Sequence, residues 1–327
     1  MSSLRQIVER FREKKVVVFG DMIADVFLYG EISRISREAP VLVLNHRETV
    51  TVPGGGANAV HNICALGGIA IPVGVVGHDA EGRALVDHFA KMGVSPDRIG
   101  YSKNYRTPAK MRILAGAVHS QRQQIVRVDY GDPLRDEKDR RVVEDNLKAV
   151  LKEADAFLVS DYGYGLTTPE IVSKMTPHRI PSTIDSRFSL MNFSGLTAAT
   201  PNESEVEAAL GISIGKDTGE LETAGRSLLR KLKHDALLIT RGKHGMALFE
   251  RGKKTAHIPV HGSDEVTDVT GAGDTVIATF TLALAAGASY YDAARLANYA
   301  GGIVVMKYGT RPVTFDELLQ TVDRNSK

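Results

Sequence analysis

Residues 268–275 read DVTGAGDT, two glycines around an alanine, then a carboxylate, directly before the apolar run 276–287. A glycine turn opening a helix leaves backbone N–H groups unpaired and convergent, which makes a pocket for developing negative charge. Gly271, Ala272 and Gly273 would form that pocket. Asp274, one residue on, could take the proton of a hydroxyl as it attacks a phosphoryl group. The plainer role for the same aspartate is to complement the helix dipole. A second glycine run, VPGGGANAVHNICALGG at 52–68, puts Gly54, Gly55 and Gly56 ahead of Asn58 and a helical pattern. It allows close backbone approach to a ligand at a helix N-terminus. It is not a dinucleotide fingerprint: the spacing differs, Pro53 interrupts the preceding strand, and no acidic strand end follows about 20 residues on. No Gly-Lys is followed by Ser or Thr, so a P-loop is absent too.

Three weaker signals accompany these. TPNESE (200–205) offers Asn202, Glu203 and Glu205 either to a Mg²⁺–water–phosphate network or to a helix cap. TRGKHG (240–245) could wrap a nucleotide phosphate around Lys243, or simply turn a hairpin before MALFE. His257 and His261 form HxxxH, but AHIPVH reads as a strand, which separates the two by about 13 Å and rules out a shared metal. No Ser-His-Asp order or nucleophile elbow is present.

The elements that must position these groups alternate. Short β-branched runs at 14–21, 70–77, 156–161, 181–185, 197–200 and 236–240 are separated mostly by helical patterns. Such alternation predicts an α/β fold with a parallel sheet covered on both faces, and ligands beyond the carboxyl ends of the strands. Asp21, Asp161, Asp185, Asn202 and Thr240 gather at those ends. Residues 22–52 and about 105–130 break the rhythm. They read as antiparallel strands forming one small sheet, a lid on a single domain spanning 1–327. At the N-terminus, Leu4, Ile7, Val8 and Phe11 share one helical face.

With 327 residues and a formal net charge of +2, the chain can bury a large core and is too balanced for bulk nucleic-acid binding. The single cysteine, Cys64, excludes an internal disulfide and reads as a buried thiol. No signal peptide is evident, and the apolar run at 276–287 is short of the roughly 18–20 residues a membrane span needs. A cytoplasmic protein is expected.

Through GGGAN and DVTGAGDT the sequence resembles the ribokinase-like carbohydrate kinases, the phosphofructokinase-B family, whose N- and C-terminal signatures these are. The resemblance extends through GDMIAD (20–25), PNESE (201–205), TRGKHG (240–245) and ANYAGGIVVMKYGT (297–310). It implies a three-layer α/β kinase with a mostly parallel central sheet and a β lid, transferring the γ-phosphoryl group of ATP to a sugar hydroxyl. It implies Asp274 as base and Gly271, Ala272 and Gly273 as anion hole. Asp21, Asp25, Gly55, Gly56, Asn58 and Asp161 fall on the sugar side. Asn202 and Glu205 match the Mg²⁺/phosphate motif, Glu205 acting through water. Thr240, Gly242, Gly245 and Asn298 fall where ATP is contacted, and Asp268 and Thr270 where a monovalent cation such as K⁺ is held.

Within that family, SRISREAPV (33–41), QQIVRVD (123–129) and VSDYGYG (159–165) are most similar to heptose-7-phosphate kinases of the ADP-heptose pathway. The implied acceptor is the anomeric hydroxyl of D-glycero-D-manno-heptose 7-phosphate, with Arg34, Lys110, Arg112 and Arg187 holding its phosphate. Two positions depart: Tyr164 stands where those kinases usually carry lysine, and Asp185-Ser186-Arg187 where they tend to read Asp-Pro-Lys. Another sugar, sugar phosphate or nucleoside is therefore the alternative acceptor, and a non-catalytic sugar-binding protein the more distant one. The nucleotidyltransferase domain fused to many such kinases is not expected in this sequence. Exposed lid edges predict a homodimer.

Overall fold

The computed structural model describes residues 3–116, 123–215, 218–262, 268–307, 309 and 311–325. Residues 117–122, within the expected second lid segment, and 263–267 lie outside that set. Among the described residues the strands are β1 (Lys15–Gly20), β2 (Met22–Ile35), β3 (Leu42–Gly55), β4 (Ile69–Gly77), β5 (Ile99–Ser102), β6 (Ala109–Gly116) and β7 (Gln123–Tyr130). They continue with β8 (Ala156–Asp161), β9 (Ser182–Ser186), β10 (Ala198–Ala199), β11 (Ala236–Thr240), β12 (Met246–Glu250) and β13 (Ala256–Ile258). The helices are α1 (Leu4–Glu9), α2 (Gly56–Ala65), α3 (Ala80–Lys91), α4 (Glu137–Val150) and α5 (Pro169–Met175). After them come α6 (Glu203–Leu210), α7 (Thr218–Leu232), α8 (Ala272–Ala285), α9 (Tyr290–Val304) and α10 (Phe315–Arg324).

Nine strands form the main sheet in the order β13-β12-β11-β10-β9-β8-β1-β4-β5. All its pairs are parallel except β11–β12 and β12–β13. Strand β1 shows why the sheet must be covered twice. Val16 and Val18 join one apolar cluster with α1, α2, α8, α9 and α10, while Val17 and Phe19 join another with α4, α5, α6 and α7. The alternation of a pleated strand thus divides one β-branched run between two cores. The fold is the expected three-layer α/β arrangement with a mostly parallel central sheet.

The smaller sheet has the order β3-β2-β6-β7. It is not wholly antiparallel as expected: β2–β3 and β6–β7 are antiparallel hairpins, but β2 pairs with β6 in parallel. The first strands of two separately delivered hairpins lie side by side, a long-range pairing that local alternation cannot reveal. Pro53 does not interrupt its strand either. It pairs opposite Ala24 inside β3, which continues to Gly55. Strand β3 is an edge strand, where a missing N–H need not cost a ladder bond. The N-terminal expectation holds, with Leu4, Ile7, Val8 and Phe11 all buried. No helix among the described residues is long and apolar enough to cross a membrane.

Candidate active site

Helix α8 opens at Gly271, whose backbone is left-handed with φ 76° and which provides no side-chain cap. A side chain there would be strained, so glycine is what allows the chain to enter the helix so abruptly. The amides of Gly273 and Asp274 find no backbone acceptor among the described residues, leaving donors aimed outward. Ala272 differs from expectation: its N–H donates to the Val269 carbonyl at 3.2 Å and is not free for an anion.

Asp274 is 4% exposed. Asn58 Nδ2 donates to its Oδ2 and the Tyr162 hydroxyl to its Oδ1, each at 2.8 Å. Asn58 is itself held, because Asn62 Nδ2 donates to its carbonyl at 2.9 Å and its side-chain oxygen at 3.2 Å. Thr275 Oγ1 closes the chain by donating to Asn62 Oδ1 at 2.8 Å. Burial pushes the Asp274 carboxyl up to about 6, against the opposing pull of the Asn58 and Tyr162 donors. A base poised there is mostly ionised at neutral pH yet strong enough to accept a proton.

The three glycines make room for the protein's own groups as well as for a ligand. Gly55 has φ 52°, and a Cβ on it would lie 2.8 Å from the Ile23 side chain and 3.2 Å from the Tyr162 ring. A Cβ at Gly54 would meet Asp25 Oδ2 at 2.8 Å. Asp25 in turn pairs with Arg112 at 2.7 Å in a largely shielded ion pair. The Gly56 amide donates to the Asp21 carbonyl at 3.0 Å, tying α2 to the end of β1.

The strand-end carboxylates have different fates. Asp161 is consumed internally: one oxygen accepts from the Gly163 amide and Thr167 Oγ1, the other from Ser186 and Ser189 hydroxyls. It is not on the wall of the first cavity, so its position does not support the expected sugar-side contact. Asp21 Oδ2 accepts from the amides of Tyr162 and Tyr164 at 2.8 and 3.2 Å, while its buried Oδ1 has no hydrogen-bond partner among the described residues. Burial pushes its carboxyl up to about 7. Asp185, unassigned by motif, faces the cavity, its carboxyl held well above the usual range by burial and then by Glu205 and Asp274.

Two cavities meet here. The first, about 530 Å³, is lined by Asp25, Gly55, Lys110, Arg112, Arg127, Tyr162, Tyr164, Asp185, Arg187, Glu205, Thr270, Gly271 and Asp274 among others. The second, about 520 Å³, is lined by Gly242, Lys243, Gly245, Met246, Val260, His261, Ala272, Val276, Asn298, Gly301, Gly302 and Val305. Asn202, Thr240, Val269 and Gly273 border both. Asn202 and Glu205 form a reciprocal capping box at the start of α6, so the helix-cap role and a place on the cavity wall coincide. Asp268 Oδ1 accepts the Thr270 amide at 2.9 Å.

Of the other expected residues, Gly56, Asn58 and Asp21 stand behind the first cavity rather than on its wall. Arg34 does not reach it at all. It pairs opposite Val43 in the exposed distal part of β2, so its expected phosphate contact is not supported by its position. Asp185, expected at the rim of strand ends, lines the first cavity, whereas Tyr162, Arg127 and His261 were not expected on these walls. For Tyr162 a signal existed, a tyrosine one residue past a buried strand end. His261, dismissed as a metal ligand, packs edge-on against Tyr299 at 4.7 Å and faces the second cavity.

The model of the pfkB family of carbohydrate kinases matches residues 13–316. The bifunctional protein HldE of Pelobacter propionicus is 39% identical over 98% of this chain, and that of Geobacter sulfurreducens 40% identical over 93%. The chain spans 65% and 62% of those two relatives' lengths. Arabidopsis thaliana ribokinase, solved with ribose and ATP, superposes with a TM-score of 0.73 at 21% identity, covering 94% of this chain and 98% of its own. Phosphofructokinase-2 from Escherichia coli superposes at 0.76 with 19% identity, covering 96% and 99%. These two likenesses bear on the fold alone.

Proposed function

The chain belongs to the pfkB family of carbohydrate kinases, and from that membership we propose that it transfers the γ-phosphoryl group of ATP to the anomeric hydroxyl of D-glycero-D-manno-heptose 7-phosphate. The observation that carries the reading is Asp274, a buried carboxylate on the wall of the first cavity, next to Gly273, which borders both cavities. The sugar occupies the first cavity and the nucleotide the second, so the acceptor hydroxyl and the γ-phosphoryl meet at the start of α8. Asp274 takes the hydroxyl proton, and the free amides of Gly273 and Asp274 stabilise charge on the transferring group. Thr240, Gly242, Gly245 and Asn298 form the nucleotide side. The small sheet, on one domain with the rest, closes as a lid and keeps out water that would compete as acceptor.

The side-chain oxygens of Asp185, Asn202 and Glu205 on the wall suit a hard divalent cation. Asn202 and, through water, Glu205 would hold Mg²⁺, which supplies neutralisation of phosphate oxygens. Among the described residues no three His, Cys, Asp or Glu side chains are grouped so as to hold a metal ion by themselves. A monovalent cation such as K⁺ would be held at the turn where Asp268 Oδ1 accepts the Thr270 amide, as the family resemblance implies.

An acceptor that already bears phosphate explains the basic wall. Arg112 is committed to Asp25 and Arg127 to Asp129, whereas the Arg187 guanidinium has no hydrogen-bond partner among the described residues and stacks loosely on Phe188 at 5.7 Å. Arg187 and Lys110 hold the acceptor's phosphate. A second copy of the chain covers the exposed apolar residues Ile125, Val126 and Val128 of β7, giving a homodimer, and the enzyme works in the cytoplasm. The test is an acceptor panel with ATP, scored by ADP release. Heptose 7-phosphate should turn over best. Preference for fructose 6-phosphate, adenosine or an unphosphorylated heptose would overturn the acceptor assignment, and the positions of Tyr164 and Arg187 on the wall make another sugar phosphate the reading to beat.

A further inference from the structure

Tyr162 stands where four parts of the chain meet. Its amide donates to Asp21 at the end of β1, and its hydroxyl to Asp274 Oδ1 at the start of α8. Gly55, at the junction of β3 and α2, lies so close that a Cβ would be 3.2 Å from the ring. The Lys110 ammonium, from β6 of the small sheet, sits 4.6 Å from the ring centroid. The residue is thus pinned at both ends, supported on one side by a glycine that cannot be enlarged without displacing it, and contacted by a cation from the smaller sheet. Cation–ring contact of this kind is worth more where solvent is excluded.

We propose that Tyr162 is a positioning residue that fixes the orientation and the charge of the base, and that Lys110 holds its ring in place from the small sheet. The inference deepens the kinase reading and rests on Asp274 being its base. Asp274 has one oxygen held by Asn58, an amide whose Nδ2 can only donate, and the other by the phenol. Both donors favour the carboxylate, and both leave each oxygen a further lone pair for the acceptor hydroxyl. The other groups acting on Asp274 are Asp25 from β2, which disfavours its charge, Lys110, which favours it, and Asp185 from β9, a like charge. Arg187 acts on Tyr162 and Asp185 in the opposite sense to the carboxylates. Against this balance, loss of the phenol removes a donor to the charged form, so the base should protonate at higher pH.

The test is Tyr162→Phe, read directly on the base. Protein labelled with ¹³C at aspartate Cγ is titrated by NMR, and the Asp274 resonance is assigned by its disappearance in Asp274→Asn. The midpoint in Tyr162→Phe should rise by about one pH unit. The acid limb of kcat/KM should move the same way, with kcat reduced and the ATP KM unchanged. Lys110→Met should raise the midpoint, and Lys110→Arg, which keeps a cation over the ring, should restore it. If Tyr162→Phe fails to fold, difluorotyrosine at position 162 replaces it. Its more acidic phenol is a stronger donor of nearly the same shape, and the Asp274 midpoint should then fall. An unchanged midpoint in either Tyr162 variant overturns the proposal, whatever the turnover does. Absence of turnover on every acceptor, with the midpoint shifting as stated, would instead remove the kinase reading and leave the Tyr162–Asp274 coupling intact.

Discussion

The two cavities that meet at Gly273 are nearly equal in volume and opposite in chemistry. One is walled by Asp25, Lys110, Arg112, Asp185, Arg187 and Asp274, the other by Met246, Val260, Val276, Val305 and two glycines of α9. A charged wall discriminates by the placement of a few hydrogen bonds, each expensive to leave unmade. An apolar wall discriminates by shape, and loses affinity gradually as its volume changes. The acceptor side should therefore respond to single substitutions steeply, and the nucleotide side gently.

The largest effect is expected at the base. Asp274→Asn should lower kcat by about 10³-fold while ATP affinity, measured by calorimetry, stays within experimental error. Retained turnover would dissolve the distinction between the two cavities at its centre. The pH profile carries the same point. Because burial raises the Asp274 carboxyl to about 6 and its ionised form is the active one, kcat/KM should fall tenfold per pH unit below that value and be flat above it. Next in size is Arg187→Ala, which removes from the charged wall a guanidinium that has no hydrogen-bond partner among the described residues. The KM for a phosphorylated acceptor should rise roughly 10–100-fold, with the ATP KM unchanged. An equal rise for an unphosphorylated sugar would show that Arg187 supports the fold and not the phosphate.

On the apolar wall, Gly301→Leu adds volume beside Val276 and Met246, the side chains a Cβ there would approach at 3.4 and 3.7 Å. The ATP KM should rise several-fold, within the roughly 1–3 kcal/mol that such a pocket can discriminate, and the acceptor KM should not move. The smallest effect belongs to Arg34→Ala. This residue lies on the exposed distal part of β2, so both KM values should stay within about twofold of wild type. A large acceptor effect would bring the far end of the small sheet into the site, by way of a second subunit.

Much of this was legible in the sequence because it is local. The layered α/β fold follows from short β-branched runs between amphipathic helices, and the start of α8 from two glycines and an aspartate. What the sequence did not disclose is how distant groups share their hydrogen bonds. Asp161 and Asp274 were both expected in the site, one on the sugar side and the other as base. One is spent on Thr167, Ser186, Ser189 and the Gly163 amide, the other keeps capacity for a ligand. The Tyr162–Asp274 bond joins residues 112 positions apart, and the Asn58–Asp274 bond residues 216 apart. No periodicity encodes such distances. The parallel pairing of β2 with β6 escaped for the same reason, as did the displacement of Arg34 from the wall, which depends on where a long strand has travelled.

Strand β3 runs 14 residues from Leu42 through Pro53 to Gly55, its pairing with β2 shifting register at two places, and α2 begins at the next residue with Asn58 two positions in. At about 3.3 Å per residue that strand is a rod some 45 Å long, and its inner end is also the tether of the base. A few degrees of rotation there sweep the tip through several ångströms while shifting Asn58 by a fraction of one. One continuous segment therefore joins the exposed far edge of the small sheet to the amide that holds the base, with no loop between them.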